Sequence, residues 1–248
     1  RVPQVFLHLC KQKENISTQF SWWQFGRGLV KGVLTKARPG RVLREKWRLG
    51  AKMLVFWEQR LAFLATPKTG STAIAAALES LAAVSIQRPP LLKHTTVHRY
   101  RRFIGPFLEA ASKDSFTVVA LMREPRDWLG SWYRFRQREE TEAGKSTRGM
   151  SFDDFVRAWC QDQRPDFADV GSQGKFLRPR QGAGVDRLFR YEAIGSFVHF
   201  LEERLGCEII LPRLNVSPPG ALELSAETET LLREVAEEDF ALYRTLTG

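Results

Sequence analysis

Apolar positions along the chain fall into two rhythms. Residues 53–64 hold two short apolar runs, Met53-Leu-Val-Phe56 and Leu61-Ala-Phe-Leu64, separated by the polar Glu58, Gln59 and Arg60, which reads as a two-stranded entry. Residues 116–122, Phe116-Thr-Val-Val-Ala-Leu-Met122, form a continuous apolar and β-branched run, the pattern of a strand buried on both faces. A third strand-like run covers 185–192. Helices are expected at 72–83, 96–110, 126–139, 152–160, 193–205 and 226–246. Ser151 with Asp154 three residues later opens one of them with a capping box, and Gly206 is suited to close another. Strands alternating with helices predict an α/β domain on a parallel sheet with helices on both faces. Segments 140–150 and 162–184 are expected to be loops that border a substrate site.

The first apolar entry ends in Thr66-Pro67-Lys68-Thr69-Gly70-Ser71-Thr72-Ala73 and runs straight into an alanine-rich helical segment. Strand, tight loop and helix start aim several backbone N–H groups and a positive helix end at one spot, which suits a cluster of anionic oxygens. Lys68 adds a mobile positive charge. The loop differs from a Walker A motif, in which the lysine follows the second glycine, because Lys68 precedes the only glycine here. The plain alternative is an ordinary turn with a solvated lysine.

The run 116–122 ends in Arg123-Glu-Pro-Arg-Asp127, and Ser131 lies about two helical turns on. Pro125 suits a first helical turn, which puts Arg123 at the carboxyl end of the strand. Ligands of open α/β sheets collect at that end. An arginine there makes bidentate contact to a phosphate and a serine hydroxyl adds a donor. The alternative for Arg123 is a helix-start salt bridge to Glu124 or Asp127.

Pro67-Lys-Thr-Gly-Ser-Thr72 resembles the 5′-phosphosulfate loop of sulfotransferases that use 3′-phosphoadenosine 5′-phosphosulfate (PAPS). Arg123-x-Pro-Arg-Asp with Ser131 resembles the 3′-phosphate motif of the same family. Tyr191-Glu192 is similar to the family's strand end beside the adenine, 171–177 to its glutamine-containing segment before a Phe-Leu pair, and Leu214-Asn-Val-Ser217 to the close of carbohydrate-directed and bacterial members. The resemblance spans 53–248. It implies a three-layer α/β/α domain with a central parallel sheet, of the P-loop-NTPase-like sulfotransferase fold. It also implies PAPS as cofactor, no metal, and a hydroxyl of a carbohydrate or other small metabolite as acceptor. The chain lacks the Arg-Lys-Gly and Gly-x-x-Gly-x-x-Lys lid of cytosolic relatives that act on phenols and steroids.

Under that resemblance Pro67, Lys68, Thr69, Gly70, Ser71, Thr72, Ala73, Arg123, Ser131 and Tyr191 would bind the nucleotide, the N–H groups of 69–73 and the hydroxyls of Ser71 and Thr72 holding the 5′-phosphate. Lys68 would stabilise charge on the bridging oxygen as the nucleotide leaves. Sulfuryl transfer also needs a base for the acceptor hydroxyl, and histidine has the suitable intrinsic pKa. His94, in Leu92-Lys-His-Thr-Thr-Val-His98, is the expected base. His94 and His98 are spaced as a helical metal pair would be, but no third ligand accompanies them. Trp128, Trp132 and Tyr133 are expected in the core rather than as an adenine stack, and Arg126 either touches the nucleotide or makes a surface ion pair.

The net charge of +10 sits wholly in residues 1–52, which hold 12 Lys/Arg against Glu14 and Glu45. The remaining 26 basic and 26 acidic residues cancel. Since members of the resembled family commonly begin just ahead of the first strand, Met53 is expected to open the folded domain, 53–248, with 1–52 an upstream extension or a basic arm. Within the domain, 53–138 carries 13 basic against 6 acidic residues, so the phosphate-binding half is the basic half. No apolar stretch approaches the length of a membrane span. Cys10, Cys160 and Cys207 form no CxxC and read as reduced thiols, from which a cytoplasmic location is expected. Two other readings stay open: a P-loop nucleotide kinase or NTPase, against which the position of Lys68 speaks, and a non-catalytic nucleic-acid-binding protein using the arm.

Overall fold

The computed structural model describes residues 50–179, 181–214 and 222–246, all within the compact unit Glu45–Gly248. The expectations for the basic arm, for Cys10 and for Asn215-Val-Ser217 lie outside the described residues.

A five-stranded, mostly parallel open sheet runs in the order β3-β1-β2-β4-β5. Its strands are β1 (Met53–Phe56), β2 (Leu61–Leu64), β3 (Val84–Ile86), β4 (Thr117–Met122) and β5 (Arg187–Arg190). β2, β4 and β5 pair in parallel, as the alternation of strands and helices predicts. β1 departs from that expectation and runs antiparallel to both its neighbours. The turn Trp57–Arg60 is the cause, since a return to a parallel partner needs a crossover of a dozen or more residues. β3 does not show in the apolar pattern because it is a three-residue edge strand with Ser85 exposed at its centre.

The central strands β1, β2 and β4 are buried on both faces, and their alternate side chains feed two cores. Met53, Val55, Ala62, Leu64, Val118, Ala120 and Met122 pack on one face with residues of α3 (Val97–Arg99), α4 (Gly105–Ser112) and α7 (Gln173–Leu177). Leu54, Phe56, Leu61, Phe63, Val119 and Leu121 pack on the other with α1 (Ser71–Leu78) and α8 (Ile194–Leu205). Each fully buried Val, Leu, Phe or Met among them contributes roughly 1.5–3 kcal/mol over leaving it exposed. Packing begins ahead of Met53, because Ala51 is buried in the second core and Lys52 is buried in an ion pair with Glu79.

A third cluster joins α5 (Pro125–Arg136), α6 (Phe152–Trp159), α9 (Ala226–Val235) and α10 (Glu237–Arg244) around Trp128, Tyr133, Phe155, Trp159, Leu232 and Phe240. The expected helix 226–246 is broken in two at Ala236. The expected loop 162–184 contains α7, whose five residues are too few to register as a period. Helix 96–110 is present as α3 and α4 joined by a π-helical turn, Tyr100–Ile104.

The connectivity places the site. From β2 the chain passes through α1 to β3 on one side, and from β4 it passes through α5 to β5 on the other. The strand order thus reverses between β2 and β4, where loops diverge and leave a crevice outside the carboxyl ends.

Candidate functional site

The loop after β2 is shaped by two residues in the left-handed region, Lys68 (φ 66) and Gly70 (φ 71). Left-handed residues of this kind curl the backbone so that successive N–H groups converge on an anion. Gly70 is required twice over, because a Cβ there would also lie 3.0 Å from the Tyr191 ring. The Thr69 hydroxyl points inward, donating to the Thr66 carbonyl at 2.9 Å, and braces the loop. From outside, the Trp128 indole N–H donates to the Pro67 carbonyl at 2.9 Å. Ala73 N–H donates to the Gly70 carbonyl at 2.9 Å, so the expectation that all N–H groups of 69–73 face a ligand narrows by one.

Pro67, Lys68, Gly70, Ser71, Thr72 and Ala73 line a cleft of about 510 Å³, together with His94, Arg123, Ser131 and Tyr191. Every site residue expected from the sequence meets there except Thr69, which is fully buried beneath the loop. The volume is that of an ordinary small-molecule site. Arg123 leaves the end of β4 and stacks over the Tyr191 ring, 4.9 Å from its centroid. It makes no ion pair with Glu124 or Asp127 among the described residues. Glu124 instead caps α5 by accepting the Asp127 N–H at 2.8 Å. Arg126 pairs with Glu229 at 3.2 Å, away from the cleft, which is the ion-pair alternative.

Sequence reasoning missed three of the five Lys and Arg residues that line the cleft. Lys93, Arg134 and Arg138 also line the cleft, with Trp132 and Phe135, and no carboxylate does so among the described residues. The missing signal was helical spacing. Ser131, Arg134 and Phe135 stand at i, i+3 and i+4 on α5, and Arg138 follows two residues past its end, so naming Ser131 names a face. The opposite face of α5 carries Leu129 and Tyr133 into the third cluster. Trp128 is core as expected, whereas Trp132 is only half-buried and turns toward the cleft.

Lys68 Nζ sits 3.9 Å from the centroid of Phe135 and 5.2 Å from that of Trp132. Burial, and then repulsion from Arg138, Arg123 and Arg134, push its ammonium down to about 7. Buried and without a hydrogen-bond partner are Arg123 Nε, Arg134 Nε and Trp132 Nε1. Cations crowded together around unfilled donors form a cavity built for a multiply charged anion.

His94 follows α2 (Pro90–Lys93), and its ring Nδ1 lies 2.7 Å from the Ala65 carbonyl. A carbonyl only accepts, so Nδ1 carries the hydrogen and Nε2 holds the free lone pair. Burial holds the pKa below the ordinary histidine value, against the opposing pull of that hydrogen bond, with Lys93 adding to the depression. The ring is therefore neutral and oriented at pH 7. His98 lies beyond the non-helical residues 94–96, on α3, so the two histidines do not share a helix face.

Gln173 is the residue that no motif assigned a mechanical role. Its buried amide clamps the backbone of Arg123, accepting from the N–H at 2.9 Å and donating to the carbonyl at 2.7 Å. Asp239 on α10 accepts in turn from the N–H groups of Gln173 and Gly174 at 3.0 and 2.9 Å. A chain of hydrogen bonds from α10 through α7 thus fixes where Arg123 leaves β4. No protein-family model, no characterised protein and no solved structure matches this chain.

Proposed function

We propose that the protein is a PAPS-dependent sulfotransferase, with the P-loop-like three-layer fold of that family, transferring a sulfuryl group to a hydroxyl of a carbohydrate or another small metabolite. The observation that carries this reading is the meeting of the two phosphate-type motifs in one cleft at the switch point of the sheet, ringed by cations with no carboxylate among its described lining. A magnesium nucleotide of a kinase calls for acidic side chains beside the phosphates, and this lining offers none. The unfilled donors of Arg123 and Arg134 fit a nucleotide bearing phosphate at both ends.

Bound there, PAPS supplies a sulfuryl group already attached to a good leaving group. The N–H groups of Gly70, Ser71 and Thr72 and the hydroxyls of Ser71 and Thr72 hold the 5′-phosphate. Arg123 and Ser131 hold the 3′-phosphate, and the Tyr191 ring walls the adenine. Lys68 neutralises charge growing on the departing oxygen. His94 Nε2 accepts the proton of the acceptor hydroxyl, and its Nδ1–H keeps the Ala65 carbonyl as a partner while the ring is charged.

Calorimetric titration with 3′-phosphoadenosine 5′-phosphate tests the reading. Expected is metal-independent binding that prefers this ligand to ATP and ADP and weakens at least about tenfold in Lys68→Ala and in Arg123→Ala, the scale of one charged hydrogen bond. A preference for ATP with magnesium, or no binding, refutes it.

A further inference from the structure

A second cavity of about 220 Å³ shares Pro67 with the cleft and lies against the sequence neighbours of His94, with Thr96 in its lining. Trp128, Phe176, Val170 and Pro67 make it predominantly apolar. Most of its polar side chains are already committed. The Trp128 N–H is bonded to Pro67, the Gln173 amide to Arg123, the Thr96 hydroxyl to the Arg99 N–H and the Ser172 hydroxyl to the Lys175 N–H. The exceptions are the exposed Lys175 and, inside the fold, Thr66. Thr66 is fully buried, it lines the cavity, and its Oγ1 has no partner. A buried hydroxyl left unpaired beside an apolar cavity marks a place where a ligand supplies the missing bond.

Size and polarity restrict that ligand. An apolar cavity of about 150 Å³ takes up benzene, so this one accommodates a single ring with a short substituent. A sugar would bury a ring of hydroxyls against Trp128, Phe176, Val170 and Pro67, and the few polar groups there, Thr66, Thr96, Ser172 and the exposed Lys175, answer only part of them, which burial disfavours.

We propose that this cavity seats the body of the sulfuryl acceptor, a neutral alcohol carrying one ring or a compact branched alkyl group, with one polar atom meeting Thr66. The inference rests on the sulfuryl-transfer reading of the adjoining cleft and narrows its acceptor away from carbohydrates. In the transfer an O–S bond forms at the acceptor oxygen, the S–O bond to the nucleotide phosphate breaks, and the hydroxyl proton passes to His94.

The test uses the full chain, with benzyl alcohol, toluene and glucose as probes followed by ligand-observed NMR, and turnover measured with PAPS. Val170→Trp fills the cavity from a half-buried position, and Thr66→Val removes the hydroxyl at nearly constant volume. Expected are saturable binding and sulfation of benzyl alcohol, and binding at least tenfold weaker in Val170→Trp. Thr66→Val should weaken benzyl alcohol about fivefold, one neutral hydrogen bond's worth, and leave toluene unchanged. The affinity for 3′-phosphoadenosine 5′-phosphate should stay within twofold in both variants. Faster turnover of glucose than of benzyl alcohol, or benzyl alcohol binding indifferent to Val170→Trp, overturns the proposal. Failure of the nucleotide to bind the unaltered protein overturns the acceptor role together with the sulfuryl-transfer reading. Benzyl alcohol binding that is sensitive to Val170→Trp in that same sample still supports the ligand class of the cavity.

Discussion

Anion binding to the cleft is expected to draw a proton from solution onto Lys68. In the free protein burial and three arginines hold this ammonium at about 7. A ligand carrying several negative charges cancels that repulsion and returns the group toward the ordinary lysine value of about 10.4. At pH 8 only about a tenth of free Lys68 is protonated, against nearly all of it in the complex, so uptake is roughly 0.9 proton per ligand bound. At pH 6 the free group is already about nine-tenths charged, and the uptake from this source shrinks to roughly 0.1. The sign follows: the bound state holds more protons, so affinity falls as pH rises above 7, by about eightfold between pH 7.5 and pH 8.5. Titration with 3′-phosphoadenosine 5′-phosphate at pH 8, in two buffers of different ionisation enthalpy, reads the uptake from the slope of apparent enthalpy. The ligand contributes little at that pH, since phosphate monoesters complete their ionisation near pH 6. Lys68→Met abolishes the uptake, and Arg138→Ala reduces it by raising the free value. An uptake below about 0.2 proton at pH 8, or the same uptake persisting in Lys68→Met, refutes the reasoning.

Three further outcomes follow from single contacts. His94→Ala should lower turnover by about 10²–10⁴-fold while nucleotide affinity changes less than about twofold, and equal losses in both would remove His94 from the role of base. Gln173→Leu leaves the Arg123 N–H and carbonyl without their partners. It should cost roughly 2–4 kcal/mol by denaturant midpoint and weaken nucleotide binding, and an unchanged midpoint would show the clamp to be idle. Gly70→Ala forces a Cβ to within 3.0 Å of the Tyr191 ring at φ 71. A loss of roughly 1–2 kcal/mol is expected from the left-handed backbone alone, with a further loss from the ring contact that the double variant with Tyr191→Ala removes, and a neutral Gly70→Ala contradicts it.

What the sequence determined by itself are the features encoded within a few residues. The run 116–122 is a strand because its β-branched residues fill both faces of a buried sheet. The loop 67–73 is a turn into a helix because proline, glycine and alanine each permit only part of that path. Arg123 lies at a strand end and Ser131 two turns later because Pro125 opens the helix between them. Their spacing is likewise local, which is why the loop 67–73, the pair Arg123 and Ser131, and His94 could be singled out as candidate site residues before any packing was known.

The tertiary structure decided everything that depends on segments distant in sequence. It reversed β1 through a four-residue turn, added the edge strand β3 and separated the two connections so that a crevice opens between β2 and β4. It turned the Ser131 face of α5 into that crevice, with Arg134 on the face and Arg138 just past the helix end. It carried Gln173 across 50 residues to the backbone of Arg123. The depressed pKa of Lys68 and the free Nε2 of His94 belong to the same class. Both arise from what surrounds a side chain, and the surroundings exist only once the chain has folded.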